Sequence, residues 1–177
     1  RCGKCLVRAR GALSPADGLK VIATRSRLMK RLSGQGAMAL LELDAEAAEE
    51  LIAGHDGLTV AVYASKHQTV IAGPPDQVDA VIAVVVAQDR LARRVDVDVA
   101  SHHSIIDPVL GDLRTELADL NPQTPSIPVF VTTGGRASGG QERSDSGNGS
   151  GEPFDAGHWV DNLRNPVRFT QAVSAAG

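Results

Sequence analysis

Residues 36–100 read GAMALLELDAEAAEELIAGHDGLTVAVYASKHQTVIAGPPDQVDAVIAVVVAQDRLARRVDVDVA, and this stretch decides the fold. Ala37–Leu43 is apolar and short enough for a strand. Asp44 is a good N-cap, its side chain able to take a free N–H of a helix over Ala45–Ala53 that Gly54 closes. Leu58–Ala64 and Gln68–Ala72 are a second and third strand. Pro74-Pro75 opens a helix to about Gln88, since proline has no N–H to lose in the first turn. Ala92–Val99 is a fourth strand, with Val95, Val97 and Val99 alternating against Asp96 and Asp98. The order β-α-β-β-α-β is a ferredoxin-like unit, one sheet with helices on one face.

Outward from this unit, Ser14 caps and Pro15 opens a helix over 14–33, with Leu19, Ile22, Leu28, Met29 and Leu32 along it. A second helix is expected over Ser104–Leu120, then a strand over Val129–Thr133. Residues 134–152, GGRASGGQERSDSGNGSGE, hold too little apolar surface to order themselves and read as a flexible surface loop. Helices resume at Trp159–Leu163 and Phe169–Ala176. The fold class is therefore α/β.

The 177 residues are 42% hydrophobic and 22% charged, an ordinary globular balance for about one domain. Only 3% are aromatic, so the core is built from Ala, Val, Leu and Ile. A net charge of −3 gives no basic excess for a phosphate backbone, and few aromatics leave no stacking platform; nucleic acid is not an expected partner. No apolar run is long enough for membrane insertion, and the first residues do not read as a secretory signal, so the expected location is cytoplasmic. Cys2 and Cys5 form one C-x-x-C without a second ligand pair, and no strand precedes it as a redox motif requires. No metal site is expected.

Beyond these patterns the chain resembles the acyltransferase domain of type I polyketide synthases and fatty acid synthases, most of all the mycobacterial mycocerosic-acid-synthase type. The resemblance is carried by Gly11-Ala-Leu-Ser-Pro-Ala-Asp-Gly18, Arg25-Ser-Arg-Leu-Met29, Val99-Ala-Ser-His-His-Ser-Ile-Ile-Asp-Pro108 and His158-Trp-Val-Asp-Asn-Leu-Arg-Asn-Pro-Val-Arg-Phe169. It implies an α/β-hydrolase-like large subdomain interrupted by the ferredoxin-like one, with the active site in the cleft between them. Residues 11–35 and 101–177 would be a partial large subdomain, 36–100 the small one, and 1–10 an atypical N-terminus. It also implies a reaction. A serine in a G-x-S-x-G elbow takes a malonyl-type group from coenzyme A and passes it to the phosphopantetheine thiol of an acyl carrier protein. The partners so implied are an acyl-CoA, a carrier protein domain and the other domains of a synthase, with no bound cofactor.

The resemblance also assigns residues. His102 matches the catalytic histidine, which must take the serine proton and return it to the leaving thiol. His103 has no such counterpart and is read as non-catalytic. Arg25 matches the arginine that pairs with the malonyl carboxylate through its planar fork; Arg27 stands near it in register and is the weaker match. Asn162 matches the position whose main-chain carbonyl orients the histidine, though it is equally a plain helix asparagine. Val99 to His102 occupies the place of the tetrad that selects the acyl group. Ala100-Ser101 follows the Y-A-S-H form of methylmalonyl enzymes, with Val99 in place of Tyr, and the small Ser101 leaves room for an α-methyl branch.

One family element is missing. No G-x-S-x-G occurs among the 177 residues; the family's spacing puts it just upstream of Arg1, and residues 1–10 do not continue in the family's pattern. The expectation is a fragment of an acyltransferase, by frameshift or shifted start, that has no activity alone. Its helices at 14–33 and 104–120 would present apolar stripes lacking their partner sheet. A different class is a stand-alone ferredoxin-like module that binds a small molecule without catalysis; residues 36–100 alone would allow it, with the flanking motifs as coincidence.

Overall fold

A computed structural model of the chain describes residues 11–125, 129–133 and 154–176. Residues 1–10, with the two cysteines, expected to be an atypical N-terminus, and residues 134–152, expected to be a flexible loop, lie outside the described residues.

Ser14 caps helix α1 (Pro15–Met29), its hydroxyl accepting from the Asp17 amide at 3.1 Å. The helix buries Val21, Thr24 and Leu28, one stripe at helical spacing, and leaves Leu19 and Ile22 exposed. It ends four residues before the expected end at Ser33: Lys30–Leu32 is a single 3-10 turn. The core of the fold then follows as β1 (Ala37–Leu41), α2 (Ala45–Ile52), β2 (Thr59–Ser65), β3 (Gln68–Gly73), α3 (Pro75–Ala87) and β4 (Ala92–Arg94). Asp44 caps α2 by accepting from the Ala47 amide at 2.9 Å, as its position before the apolar-periodic run predicts.

The sheet order is β4-β1-β3-β2-β5. The first four strands pair antiparallel, with Ala39 opposite Ile71 and Arg94. The fifth, β5 (Val167–Arg168), pairs parallel with β2 through Val62 and Tyr63. It comes from the far end of the chain, and a two-residue strand has no period by which to read it. Ala37, Ala39, Leu41, Val60 and Ile71 face α2 and α3, where Ala48, Ile52, Val78, Val81 and Val85 complete a dry core. Each such valine, fully buried, stabilises the fold by about 1.5–3 kcal/mol.

The fourth strand is shorter than expected. Ala92–Val99 alternates like a strand, but pairing stops at Arg94 because its one neighbour, β1, runs out at Ala37. Val95 still donates to the Met38 carbonyl at 2.9 Å; then the Val97 amide turns back onto the Val95 carbonyl at 2.8 Å and the chain leaves the sheet. Val95 and Val97 are exposed.

The chain then crosses the sheet's second face. Ala100 packs there with Met38, Ala61 and Ala72. The approach is close because Gly36 has no side chain: a Cβ on it would sit 2.6 Å from the Ala100 Cβ. A 3-10 turn (Ser104–Ile106) leads into α4 (Asp107–Glu116), so the expected helix over 104–120 is a turn and a shorter helix. Val129 makes only an isolated bridge, where a strand to Thr133 was expected. Helices α5 (Ala156–Arg164) and α6 (Phe169–Ala175) flank β5.

These outer elements share a second core of Val21, Leu28, Val99, Ile106, Val109, Leu113, Phe154, Trp159 and Leu163 among others. Lys20–Asp119, Arg27–Glu116 and Arg31–Asp112 pair α1 and the 3-10 turn after it with the α4 side of this core. They are solvent-exposed and set register more than stability. Among the described residues no helix is long and apolar enough to cross a membrane.

Candidate active site

His102 stands where the segment from β4 turns between the sheet's second face and the helical core. Its backbone is left-handed, φ +62°, a conformation uncommon outside glycine. Its amide donates to the Leu163 carbonyl at 2.9 Å. Its Nδ1 lies 2.8 Å from the Asn165 carbonyl oxygen. A carbonyl only accepts, so Nδ1 carries the proton and the lone pair sits on Nε2. Burial holds the imidazole below its ordinary pKa; the Asn165 carbonyl works against that shift and the Arg25 guanidinium adds to it. The ring is thus neutral near pH 7, with one basic nitrogen.

The carbonyl in contact belongs to Asn165 and not to Asn162, where it was expected. Asn162 lies inside α5 and uses its side chain to donate to the Thr133 hydroxyl at 3.2 Å. Asn165 is the C-cap, with φ −83° and ψ 152°. Pro166 follows it, and the residue before a proline is pushed out of helical geometry. That extended ψ turns the carbonyl out of the helix toward the imidazole. The Asn-Pro pair at a helix end was the signal in the sequence that could have located it.

Arg25 and Arg27 are separated by the helix itself. Two residues apart on α1, they point to different sides. Arg27 is exposed and paired with Glu116, while Arg25 is half-buried, donates from Nε to the Met29 sulfur at 3.4 Å and is felt electrostatically by His102. Ser101 is half-buried with its Oγ 3.8 Å from the Met38 sulfur. Val99 lies in the helical core, on the other side of the segment from Ala100. The structure therefore brings the Asn165 carbonyl to His102, with Arg25 near enough to bear electrostatically on the ring; Ser101 lies against Met38, Asn162 against Thr133 and Val99 in the helical core. What this offers chemically is a neutral, oriented base within the field of a guanidinium suited to a carboxylate. Among the described residues no three His, Cys, Asp or Glu side chains gather as a metal would need.

Comparison with known proteins bears on what such a set does. The family model for the acyl transferase domain matches residues 5–176. The chain is 64% identical over 168 residues to a phenolphthiocerol/phthiocerol polyketide synthase of Mycobacterium tuberculosis, a match covering 94% of the chain and 8% of that synthase. Among solved structures it superposes on the acyltransferase domain of the polyketide synthase PpsC of Mycobacterium tuberculosis with a TM-score of 0.87 and 49% identity. That match covers 98% of the chain and 51% of the other. The acyltransferase domain of phenolphthiocerol/phthiocerol synthase A from Mycobacterium bovis (BCG) gives 0.85 and 48%, covering 99% of the chain and 62% of the other. The chain thus spans about half to two thirds of the solved domains and under a tenth of the synthase. The match runs through the flanking motifs as well as residues 36–100, so those motifs are not coincidence beside a stand-alone module.

Proposed function

Since the chain belongs to the acyl transferase domain family, we propose that it is the histidine-bearing part of a polyketide synthase acyltransferase. That domain moves a malonyl-type group, methylmalonyl in particular, from coenzyme A to the phosphopantetheine of an acyl carrier protein. The carrying observation is the His102–Asn165 pair: one ring nitrogen is bonded to a main-chain carbonyl, so the other is held as a base. In the proposed reaction Nε2 takes the serine proton as the hydroxyl attacks the thioester, then returns it to the departing coenzyme A thiolate. The second half runs the same steps in reverse with the carrier thiol as nucleophile. Arg25 receives the malonyl carboxylate, and Ser101 leaves space for the α-methyl group.

On this reading the β1–β4 unit is the ferredoxin-like subdomain, and α1 and the elements after Ala100 belong to an α/β-hydrolase-like one. No serine in a G-x-S-x-G setting is among the 177 residues. Incubated alone with methylmalonyl-CoA, the chain is expected to show no acyl adduct by intact mass, since losing an activated serine costs on the order of 10⁶-fold in a comparable triad. A stoichiometric adduct on a hydroxyl would refute that.

The role of His102 is tested in a chimera in which residues 11–177 replace the matching part of the PpsC acyltransferase domain, whose upstream part is expected to carry the serine that the family resemblance implies. The chimera is expected to take up the acyl group from methylmalonyl-CoA, and His102→Ala to slow uptake about 10²–10⁴-fold, the usual worth of a positioned base. Equal rates with and without His102 would remove it from the mechanism.

A further inference from the structure

His103, the neighbour of the proposed base, is buried at 4% exposure and is engaged at both ring nitrogens. Its Nε2 lies 2.7 Å from the Gly57 carbonyl oxygen, and its Nδ1 accepts from the Ile105 amide at 3.1 Å. A carbonyl needs a donor and an amide needs an acceptor, so this ring is held with its proton on Nε2. That is the opposite tautomer to His102.

We propose that His103 is a positioning residue for His102, clamping the turn in which the base takes its left-handed backbone. Three observations support the clamp. A non-glycine residue at φ +62° persists only where its surroundings over-determine it. On the upstream side the Ser101 amide is tied to the Val99 carbonyl at 3.1 Å; on the downstream side His103 is the tie, capping the 3-10 turn and reaching across to the loop between α2 and β2. The Gly57 carbonyl it meets runs close over Gly73, where a Cβ would stand 2.5 Å from that oxygen, so the His103 partner sits in a tight approach of two backbone segments. The charges that bear on His103 are Arg164, against protonation, and Asp107, for it; burial weighs most and keeps the ring neutral. On His102 the bearing charge is Arg25.

The inference rests on His102 as the base, but its test reads the ring and not the transfer. Nitrogen-15 NMR of the histidine side chains in the 177-residue chain is expected to find the proton on Nδ1 of His102 and on Nε2 of His103. His103→Asn keeps an acceptor for the Ile105 amide yet cannot reach Gly57. It is expected to loosen the His102 tautomer and move its titration up toward the ordinary value of about 6.5, with the methyl signals of Val78, Val81 and Val85 unmoved. Gly73→Ala, which crowds the Gly57 carbonyl, is expected to do the same without altering either histidine. Nδ1-protonated His103 in the wild type would overturn the proposal, as would an unchanged His102 in both variants. Failure of the base role itself would appear separately, as unimpaired transfer by the His102→Ala chimera.

Discussion

The two nitrogens of the His102 ring are made unequal by a main-chain carbonyl that no substitution can delete, but the residue that aims it can be changed. Pro166→Ala would restore an N–H able to bond the Asn162 carbonyl and draw Asn165 into the helix. The expected result, in the chimera, is a kcat lower by about tenfold with KM little changed, the worth of one net hydrogen bond. Steady-state transfer from methylmalonyl-CoA measures it, and an unchanged kcat would mean that the carbonyl holds its place without the proline. Ser101 invites a different change. Ser101→Phe fills the space beside the Met38 sulfur, 3.8 Å from the present hydroxyl. Competition between malonyl-CoA and methylmalonyl-CoA is expected to shift toward malonyl by about 10-fold or more, as excluding one methyl group allows. At this scale the sequence was legible in residue type more than in register. Arg25 bears electrostatically on His102, but the carbonyl bonded to the ring lies three residues beyond Asn162. Helix ends depend on a single ψ, and Asn165 acquires its own from the proline after it.

Elements were most legible where a capping residue and a period agree. Asp44 and Ser14 cap as expected, and the β-α-β-β-α-β order is observed from Ala37 to Arg94. The alternation through Val95, Val97 and Val99 misled because a strand needs a partner as well as a pattern, and β1 has none left to give. β5 could not be read locally at all, since its pairing with β2 bridges a sequence separation of about a hundred residues through two residue pairs. The segment that follows β4 depends on the second face of the sheet being small. Gly36→Ala would place a methyl group 2.6 Å from the Ala100 Cβ and 3.0 Å from its backbone nitrogen. Backbone gives less readily than a side-chain tip, so the expected cost is about 1–3 kcal/mol, read as a lower urea midpoint. The His102 ring resonances should move with it, because the displaced segment carries the base. A variant as stable as the wild type would show that this face has slack.

Across the whole molecule, the helical core is joined to the sheet by the 99–106 segment, with Val99 in that core and Ala100 in the small cluster on the sheet's second face. Stability of the assembled pair should therefore follow the histidines buried along and beside that join. Burial lowers the pKa of His102, of His103 and of His158, which lies edge-on between Phe154 and Trp159. In the unfolded chain each takes a proton near its ordinary value of about 6.5. Between that value and the lower folded one, the unfolded state binds more protons, so stability rises with pH there and is lost as pH falls. The exposed Asp79 and Asp119, whose carboxyls are lowered by Arg94 and Lys20, act the same way only in the acid range below their ordinary carboxylate values. The urea midpoint is therefore expected to fall between about pH 7.5 and about pH 5.5, ahead of any carboxylate loss. His158→Phe, which keeps a ring against Phe154 and Trp159 and cannot charge, should flatten part of that slope. A midpoint constant across that interval would mean that these imidazoles gain their protons in the folded state as easily as in the unfolded one, and that the join is wetter than its burial indicates.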